Sequence, residues 1–290
     1  MTERTQTADP CPIVVVAIHG LAATSSCWGA MRASCPAEAE FIAFELKGRG
    51  RRFDAAPPYG IDAHANEIIE LLQQLRARAV TTGSGIRTVL IGHSMGAWLA
   101  GEVTIRAPYL VDALILVDGG VAPALRGPRN NEPRIETATT IAAKLSRRLG
   151  RRWEKTESYL ELFRHHPAYS PWSVGLAQSL REELRVCGPG FVVAVSAEAV
   201  RVDAASFEHV RTRDCIAYPV AAHLIIADDG MSLDDGPLYD KDAFFDGAAS
   251  VTQIVNSSHY SLLFDPNFIS TAWNLILDGS ERSSLQTNRK

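Results

Sequence analysis

Short, continuous runs of apolar residues recur along the chain, and segments with helical periodicity separate them. Strands that are buried on both faces of a parallel sheet have this uninterrupted apolar character. Three such runs precede residue 120, at 13–18, 88–91 and 113–117, and a further short strand is expected at 40–46. Helical spacing of apolar residues is clearest over 61–78, and a further helix is expected over 97–105. The alternation predicts the α/β fold class, a mostly parallel sheet flanked by helices on both faces.

This alternation is interrupted after Gly120. Residues 123–133 are rich in Pro, Gly, Asn and Arg, a composition typical of loops. Helical segments are then expected at 139–149, 153–163 and 172–186, and strands resume at 220–227 and 250–255 before a helix at 267–277. We therefore expect an α/β core formed by residues 1–120 and 216–278, a helical lid inserted at 121–215, and a disordered polar tail at 279–290.

Composition narrows the function classes. The 290 residues are 46% hydrophobic and 21% charged, as in an ordinary globular domain with an insert. A net charge of −4 gives no reason to expect nucleic-acid binding. Five cysteines, without a C-x-x-C pair, favour reduced thiols and a cytoplasmic location, and they predict no metal or other cofactor. The polar N-terminus and the short apolar run after it predict neither a signal peptide nor a membrane anchor.

The most informative motif is Gly92-His93-Ser94-Met95-Gly96, which directly follows one expected strand and precedes an expected helix. A serine hydroxyl is a poor nucleophile unless the backbone presents it to a neighbouring base. A very tight strand-to-helix turn does so, and it requires glycine where side chains would collide with the adjacent strand and helix. Ser94 is the candidate nucleophile.

With this motif the chain resembles the α/β-hydrolase superfamily over nearly its whole length. His19-Gly20 after the first strand, the serine turn, the insertion, an Asp beyond it and a late His occur in the family's order. The resemblance implies backbone oxyanion donors at Met95 and Leu21. One departure is that only about a dozen residues precede the first strand, so we expect a sheet trimmed at that edge.

His259 is the candidate base, because it lies after the last strand and before the final helix, where the family carries its histidine. The other histidines fall inside the serine turn, the insertion or a strand. For the acid that orients the imidazole, family spacing favours Asp229, and Asp228 then serves as a turn or capping residue. Asp118, after the strand at 113–117, is the alternative acid, because some relatives place it there.

A serine nucleophile indicates acyl transfer and excludes relatives that need Asp at this position. The expected reaction is hydrolysis of a carboxylic ester, thioester or lactone, on a small acyl substrate that is free or bound to a carrier. Residues 46–53 (LKGRGRRF) resemble a loop of discrete thioesterases from antibiotic assembly, with Lys47 where proline is usual. A basic, solvated loop is the slightly preferred interpretation. The Arg-rich run at 147–152 could steer a phosphate-bearing carrier, although a solvated helix end is more common.

Gly20, Trp28, Trp153 and Trp172 are candidate pocket residues, because aromatic side chains near the oxyanion loop and in the insertion suggest an apolar pocket. The tryptophans would equally serve to join the insertion to the core. Two alternative functions stay open: a carbon–carbon bond hydrolase with the same triad, and a non-catalytic ligand receptor on this fold.

Overall fold

In the computed structural model, the described residues are 12–81, 83, 85–121, 137–211, 217–231, 236–239 and 248–286. The strands are β1 (Ile13–Ile18), β2 (Ala39–Phe44), β3 (Arg87–His93), β4 (Ala113–Val117), β5 (Leu184–Cys187), β6 (Gly190–Val193), β7 (Ala222–Ala227) and β8 (Ala248–Ile254). The α-helices are α1 (Gly29–Ala33), α2 (Ile61–Thr81), α3 (Met95–Arg106), α4 (Ala138–Ser146), α5 (Thr156–Arg164), α6 (Val174–Glu182), α7 (Ala197–Arg211) and α8 (Pro266–Gln286).

Six strands form one parallel sheet in the order β2-β1-β3-β4-β7-β8. The sheet confirms the predicted fold class. Within the part of the chain that the structure describes, β2 is the edge strand on the side where a trimmed sheet was expected. Because β3 lies between β1 and β4, the loops that follow these three strands meet at one edge of the sheet.

Each central strand contributes side chains to two hydrophobic cores, one on either face of the sheet. Alternate residues of β1 pack on opposite sides: Val14 and Val16 belong to the core beneath α2 and α3, whereas Val15 belongs to the core beneath α1 and α8. This period of two explains why the strands read as unbroken apolar runs, since neither face is exposed to solvent.

Residues 121–215, which we call the insertion, separate β4 from β7. Their described part contains α4, α5 and α6, followed by an antiparallel hairpin of β5 and β6 and by α7. The expected helical segments at 139–149, 153–163 and 172–186 overlap α4, α5 and α6. The expectation of a helical lid did not include the hairpin, and residues 184–186 lie in β5 instead of a helix. The hairpin and α7 were not predicted.

The C-terminal helix is longer than expected. α8 continues to Gln286, so residues 279–286 of the expected disordered tail are helical, and residues 287–290 lie outside the described part. Of the cysteines, Cys27, Cys35 and Cys187 are free thiols, and Cys11 and Cys215 fall outside the description. None of the helices that the structure describes combines the length and apolar character needed to cross a membrane.

Candidate active site

Ser94 occupies the turn between β3 and α3 in a backbone conformation that side chains rarely adopt, with φ 55° and ψ −126°. Such a conformation costs about 1–3 kcal/mol and persists only where the surroundings enforce it. The Ser94 N–H donates to the carbonyl oxygen of Val117 at 2.9 Å, which fixes the turn to the end of β4. The half-buried serine is thus held at the carboxyl edge of the sheet.

The two glycines of the motif permit this turn, as the sequence predicts. A Cβ atom on Gly92 would overlap the carbonyl oxygen of Gly96 at the start of α3. A Cβ atom on Gly96 would overlap the carbonyl oxygen of Ile18 at the end of β1. Strand and helix therefore approach more closely than any side chain allows.

His259 is fixed by a buried carboxylate. Its Nδ1 lies 2.6 Å from Oδ2 of Asp118, and both side chains are at most 4% exposed. A carboxylate only accepts, so Nδ1 carries the hydrogen and Nε2 of the neutral ring has a free lone pair. The other Asp118 oxygen accepts the backbone N–H of Ala227 at 3.1 Å. This arrangement fixes the orientation of the imidazole and leaves Nε2 able to accept a proton.

The preference for Asp229 as the orienting acid is therefore corrected in favour of Asp118, the alternative. The single Nδ1 hydrogen is given to Asp118, which directly follows β4, the strand next to β3. Asp229 follows β7 and its backbone N–H donates to the carbonyl oxygen of Ser257 at 2.9 Å. Asp228 acts as expected of a turn residue, because its Oδ2 accepts the backbone N–H of Asn256 at 3.3 Å.

His93 packs beside the candidate base without competing with it. Its Nε2 donates to the carbonyl oxygen of His259 at 2.9 Å, and the two ring centroids are 4.6 Å apart. Burial, together with the positive charge that His259 can carry, lowers the pKa of His93 well below its ordinary 6.5. His93 thus stays neutral and serves as a support for the His259 backbone.

The backbone at Gly20 and Leu21, where an oxyanion donor is expected, is held by hydrogen bonds and lies next to the serine. The Gly20 carbonyl oxygen lies 2.9 Å from Nδ1 of His19, which must be the donor, and accepts the N–H of Ala23 at 3.3 Å. Because the C=O and N–H of one trans peptide point in opposite directions, this bond sets the direction of the Leu21 N–H. Gly20 itself adjoins the serine: a Cβ atom there would lie 3.2 Å from the Cβ of Ser94.

Met95 supplies a second N–H by position alone. It is the first residue of α3, and the first N–H groups of a helix have no intrahelical acceptor. The same groups lie at the positive end of the helix dipole. Of the two expected oxyanion donors, Met95 directly follows Ser94, and Leu21 follows Gly20, which adjoins Ser94. The Met95 side chain is fully buried in the core.

The candidate pocket tryptophans are placed differently from expectation. Trp28 is fully buried in the core beneath α1 and α8, where its ring contacts Phe41 at 6.5 Å between centroids, so its assignment to the pocket was wrong. Trp153 lies inside the insertion, between the ring of Tyr159 at 5.4 Å and the guanidinium of Arg151 at 4.1 Å.

The remaining candidate, Trp172, is half-buried beneath the guanidinium of Arg164, 5.3 Å from its ring centroid. An aromatic residue of the insertion that approaches the site is Tyr169. Its ring stacks on Tyr260 at 4.5 Å, and Tyr260 lies 4.9 Å from the His259 ring. Burial raises the pKa of Tyr260 to about 12, so its hydroxyl stays neutral. Sequence reasoning missed both tyrosines, although Tyr260 directly follows the base.

The arginine-rich segments are also more buried than expected. Arg49, from the 46–53 loop, is fully buried, and Arg148, from the 147–152 run, is 13% exposed. The preferred interpretations as a solvated loop and a solvated helix end are therefore wrong for these two residues. Within the described ranges, no group of three His, Cys, Asp or Glu side chains is placed to hold a metal ion.

Residues 15–271 match the sequence profile of the alpha/beta hydrolase family. The match covers most of the chain, and the chain belongs to this family. Two curated relatives are similar over shorter stretches. A putative carbamate hydrolase, RutD, of Klebsiella pneumoniae is 32% identical over 37% of this chain and 37% of its own length. The human (lyso)-N-acylphosphatidylethanolamine lipase is 30% identical over 61% of this chain and 47% of its own.

An uncharacterized protein of Mycobacterium tuberculosis is likewise 32% identical, over 37% of this chain, and the chain spans 29% of its length. Solved structures align over nearly the whole chain. E-2-(acetamidomethylene)succinate hydrolase aligns with a TM-score of 0.66 at 17% identity, over 92% of this chain and 91% of its own. The thioesterase domain from the curacin biosynthetic pathway aligns with a TM-score of 0.56 at 16% identity, over 93% and 92%. At these identities the likeness concerns the fold.

Proposed function

We propose that the chain is a serine hydrolase that cleaves a carboxylic ester or thioester through an acyl-enzyme on Ser94. The observation that carries the proposal is the buried 2.6 Å bond between His259 and Asp118, formed beside a serine with φ 55°. A strained serine and an imidazole with a fixed tautomer at one sheet edge have no evident structural purpose. Together they constitute a nucleophile and its base.

In the first step the Ser94 hydroxyl attacks the acyl carbon while Nε2 of His259 takes its proton. The charge that then develops on the imidazole is stabilised by Asp118 through the Nδ1–H bond. No hydrogen bond joins Ser94 Oγ to His259 in the structure, and such contacts often form only when substrate binds. His259 returns the proton to the leaving group, and water repeats the sequence to release the acid.

The carbonyl oxygen of the substrate becomes negative during the attack and needs donors that are already in place. The N–H groups of Leu21 and Met95 take this role in the proposal. Loss of one such donor typically costs about 3–4 kcal/mol in the barrier. This requirement explains why Gly20 approaches Ser94 so closely, because a side chain there would restrict the space of the reacting carbonyl.

Acyl transfer from an ester-type substrate agrees with the serine nucleophile and with the hydrolases and the lipase among the relatives. Support for a carrier-bound thioester is weaker, because the arginines that suggested it include the buried Arg49 and Arg148. A small acyl substrate remains the proposed partner, and a cytoplasmic location remains a proposal from composition.

The test compares initial rates on p-nitrophenyl acetate, a short acyl thioester and a ring-cleavage dienoate, with wild type, Ser94→Ala and His259→Ala. We expect turnover of an ester or thioester that each substitution lowers by about 10⁴-fold or more, because such residues act as a unit. Cleavage of the dienoate alone would instead show a carbon–carbon bond hydrolase. Absence of turnover in a folded wild type, with all three substrates, would favour a receptor.

A further inference from the structure

Two consecutive carbonyl groups of the oxyanion loop are held by arginines from distant parts of the chain, one fully buried and the other 13% exposed. Nη2 of Arg49 donates to the carbonyl oxygen of Leu21 at 2.7 Å. Nη2 of Arg148 donates to the carbonyl oxygen of Ala22 at 2.7 Å. Neither contact belongs to the acid, base or nucleophile.

Arg49 is fixed by an acid from the insertion. The same Nη2 lies 2.6 Å from Oδ2 of Asp203 on α7, and both side chains are 0% exposed. Asp203 also accepts the backbone N–H of Gly60 at 2.6 Å and lies 3.1 Å from Nε2 of His64. Burial raises the pKa of Asp203, but hydrogen bonding to His64 and the charge of Arg49 lower it more, so the carboxylate is ionised.

Backbone contacts join the same loop to the insertion. The Gly50 N–H donates to the carbonyl oxygen of Ala194 at 2.7 Å, and the Ser196 N–H donates to that of Gly48 at 2.8 Å. Gly48 has φ 76°, and a Cβ atom on it would lie 2.5 Å from the Cβ of Ala199 in α7. The loop that carries Arg49 is therefore packed closely against the insertion.

Arg148 comes from the insertion itself and has its own acid. Its Nη1 donates to Oε1 of Glu183 at 2.8 Å and to the hydroxyl oxygen of Tyr159, whose O–H also bonds Glu183. Burial opposes the charge of Arg148, but the neighbouring Glu183 raises its pKa, so the guanidinium keeps its proton.

We propose that Arg49 and Arg148 are positioning residues that hold the Leu21 N–H in its oxyanion geometry, so that the insertion forms part of the catalytic frame. The peptide on the N-terminal side of Leu21 is held by His19 through the Gly20 carbonyl, and those on its C-terminal side by the two arginines. With these peptides fixed, φ and ψ of Leu21 have no freedom, and the N–H keeps one direction. The inference rests on the proposed function.

Arginine suits this task because its planar fork donates to a carbonyl and a carboxylate at once from fixed positions. Replacing a buried ion pair by apolar groups is often neutral or stabilising, so stability alone does not account for two such pairs at one loop. Their common feature is that each holds a carbonyl next to the expected oxyanion donor.

The test uses the full chain with Arg49→Lys and Arg148→Lys, p-nitrophenyl acetate as substrate and benzeneboronic acid as inhibitor. The boronate forms a tetrahedral adduct on the serine, one oxygen of which occupies the oxyanion site. We expect kcat/KM to fall about 10- to 100-fold through kcat, with KM nearly unchanged, and the inhibition constant to rise by a similar factor. A purely structural role would reduce the amount of folded enzyme without changing these constants for the remainder.

Arg76→Lys is the control away from the site, because Arg76 and Asp112 form an ion pair of the same 2.6 Å length beside the opposite edge of the sheet, with the two side chains 31% and 39% exposed. It should keep wild-type kcat and the wild-type inhibition constant. Wild-type constants in both loop variants would overturn the inference, while a wild type that neither turns over ester nor binds boronate would instead refute the proposed function. If Arg49→Lys fails to fold, the partly exposed Arg148 decides the outcome.

Discussion

Two non-glycine residues with positive φ stand at adjacent strand ends, Ser94 with φ 55° after β3 and Asp118 with φ 44° after β4. A backbone hydrogen bond links the two turns, because the N–H of Ser94 donates to the carbonyl oxygen of Val117, the residue before Asp118. Strain of this kind is maintained where a precise side-chain direction is needed. Here one of the two residues, Asp118, bonds the ring of His259 at 2.6 Å through its carboxylate.

At this scale the sequence predicted the tight turn at Ser94 and the loop position of His259, because each lies in a recognisable local context. It could not decide among the acids. Asp118 directly follows β4, and Asp229 lies two residues after the end of β7. Which of them bonds the imidazole depends on the order of the strands in the sheet, and this order involves residues far apart in sequence.

Asp118→Asn should lower kcat by about 10³- to 10⁴-fold, because the amide can donate to Nδ1 and so favours the wrong tautomer of His259. Asp229→Asn is the matched comparison and should change kcat by less than about tenfold. Steady-state rates on an ester substrate decide between them. A larger loss in Asp229→Asn would show that the assignment of the acid is wrong.

At the scale of elements, the main feature is the close packing of β1, β3 and α3 around the Ser94 turn. The central strands β1, β3 and β4 were predicted well because each contains a continuous, buried apolar run, and the amphipathic α2 was found through its spacing. The hairpin of β5 and β6 was missed because its strands have only four residues each and because β5 lies largely within the segment 172–186, which was expected to be helical. α7 was missed because Ala, Asp and Ser dilute its apolar positions.

Gly92→Ala should destabilise the fold by about 2–3 kcal/mol, because its methyl group would overlap the backbone of Gly96 and force β3 from α3. Denaturant unfolding measures the change. Gly29→Ala is the control: a Cβ atom there meets nothing within 4 Å, and its backbone is helical, so this variant should be neutral or more stable by up to about 1 kcal/mol. Equal stability of the two variants would contradict the close approach.

Across the whole molecule, acids and bases far apart in sequence meet around the oxyanion loop. A polar segment that contains arginine and glycine is predicted from its sequence to be a solvated loop, and nothing in the pattern indicates that an arginine within it is buried. Arg49 and Arg148 can be buried here because Asp203 and Glu183, which belong to the insertion, pair with them. These pairs form only through the tertiary fold. The sequence therefore predicted an insertion, but it did not predict the ion pairs that link the insertion to the arginines at Leu21 and Ala22.

Glu45 connects β2 to this region and links folding to pH. Burial favours its neutral form, but hydrogen bonds and charge from His19, with two bonds from Ser25, lower its pKa from 4.5 to about 2. In the folded state the carboxylate stays ionised while the unfolded chain takes up a proton. The ionised carboxylate therefore contributes roughly 3 kcal/mol to the free energy of unfolding. This contribution is complete above about pH 4.5 and is lost as the pH falls toward 2.

Glu45→Gln should consequently weaken the dependence of the unfolding free energy on pH between 5 and 3, as measured by urea unfolding at both values. The control is Glu40→Gln, whose half-exposed carboxylate pairs with Arg78 in solvent and contributes little. An unchanged slope in Glu45→Gln would show that this carboxylate is not held ionised by the fold.

The most direct test of the account is covalent labelling of the folded protein by a fluorophosphonate, followed by peptide mass spectrometry. The account predicts one phosphonyl adduct per wild-type chain, located on Ser94, much slower labelling of His259→Ala, and no adduct on Ser94→Ala. An unlabelled wild type, or an adduct that persists in Ser94→Ala, would contradict it.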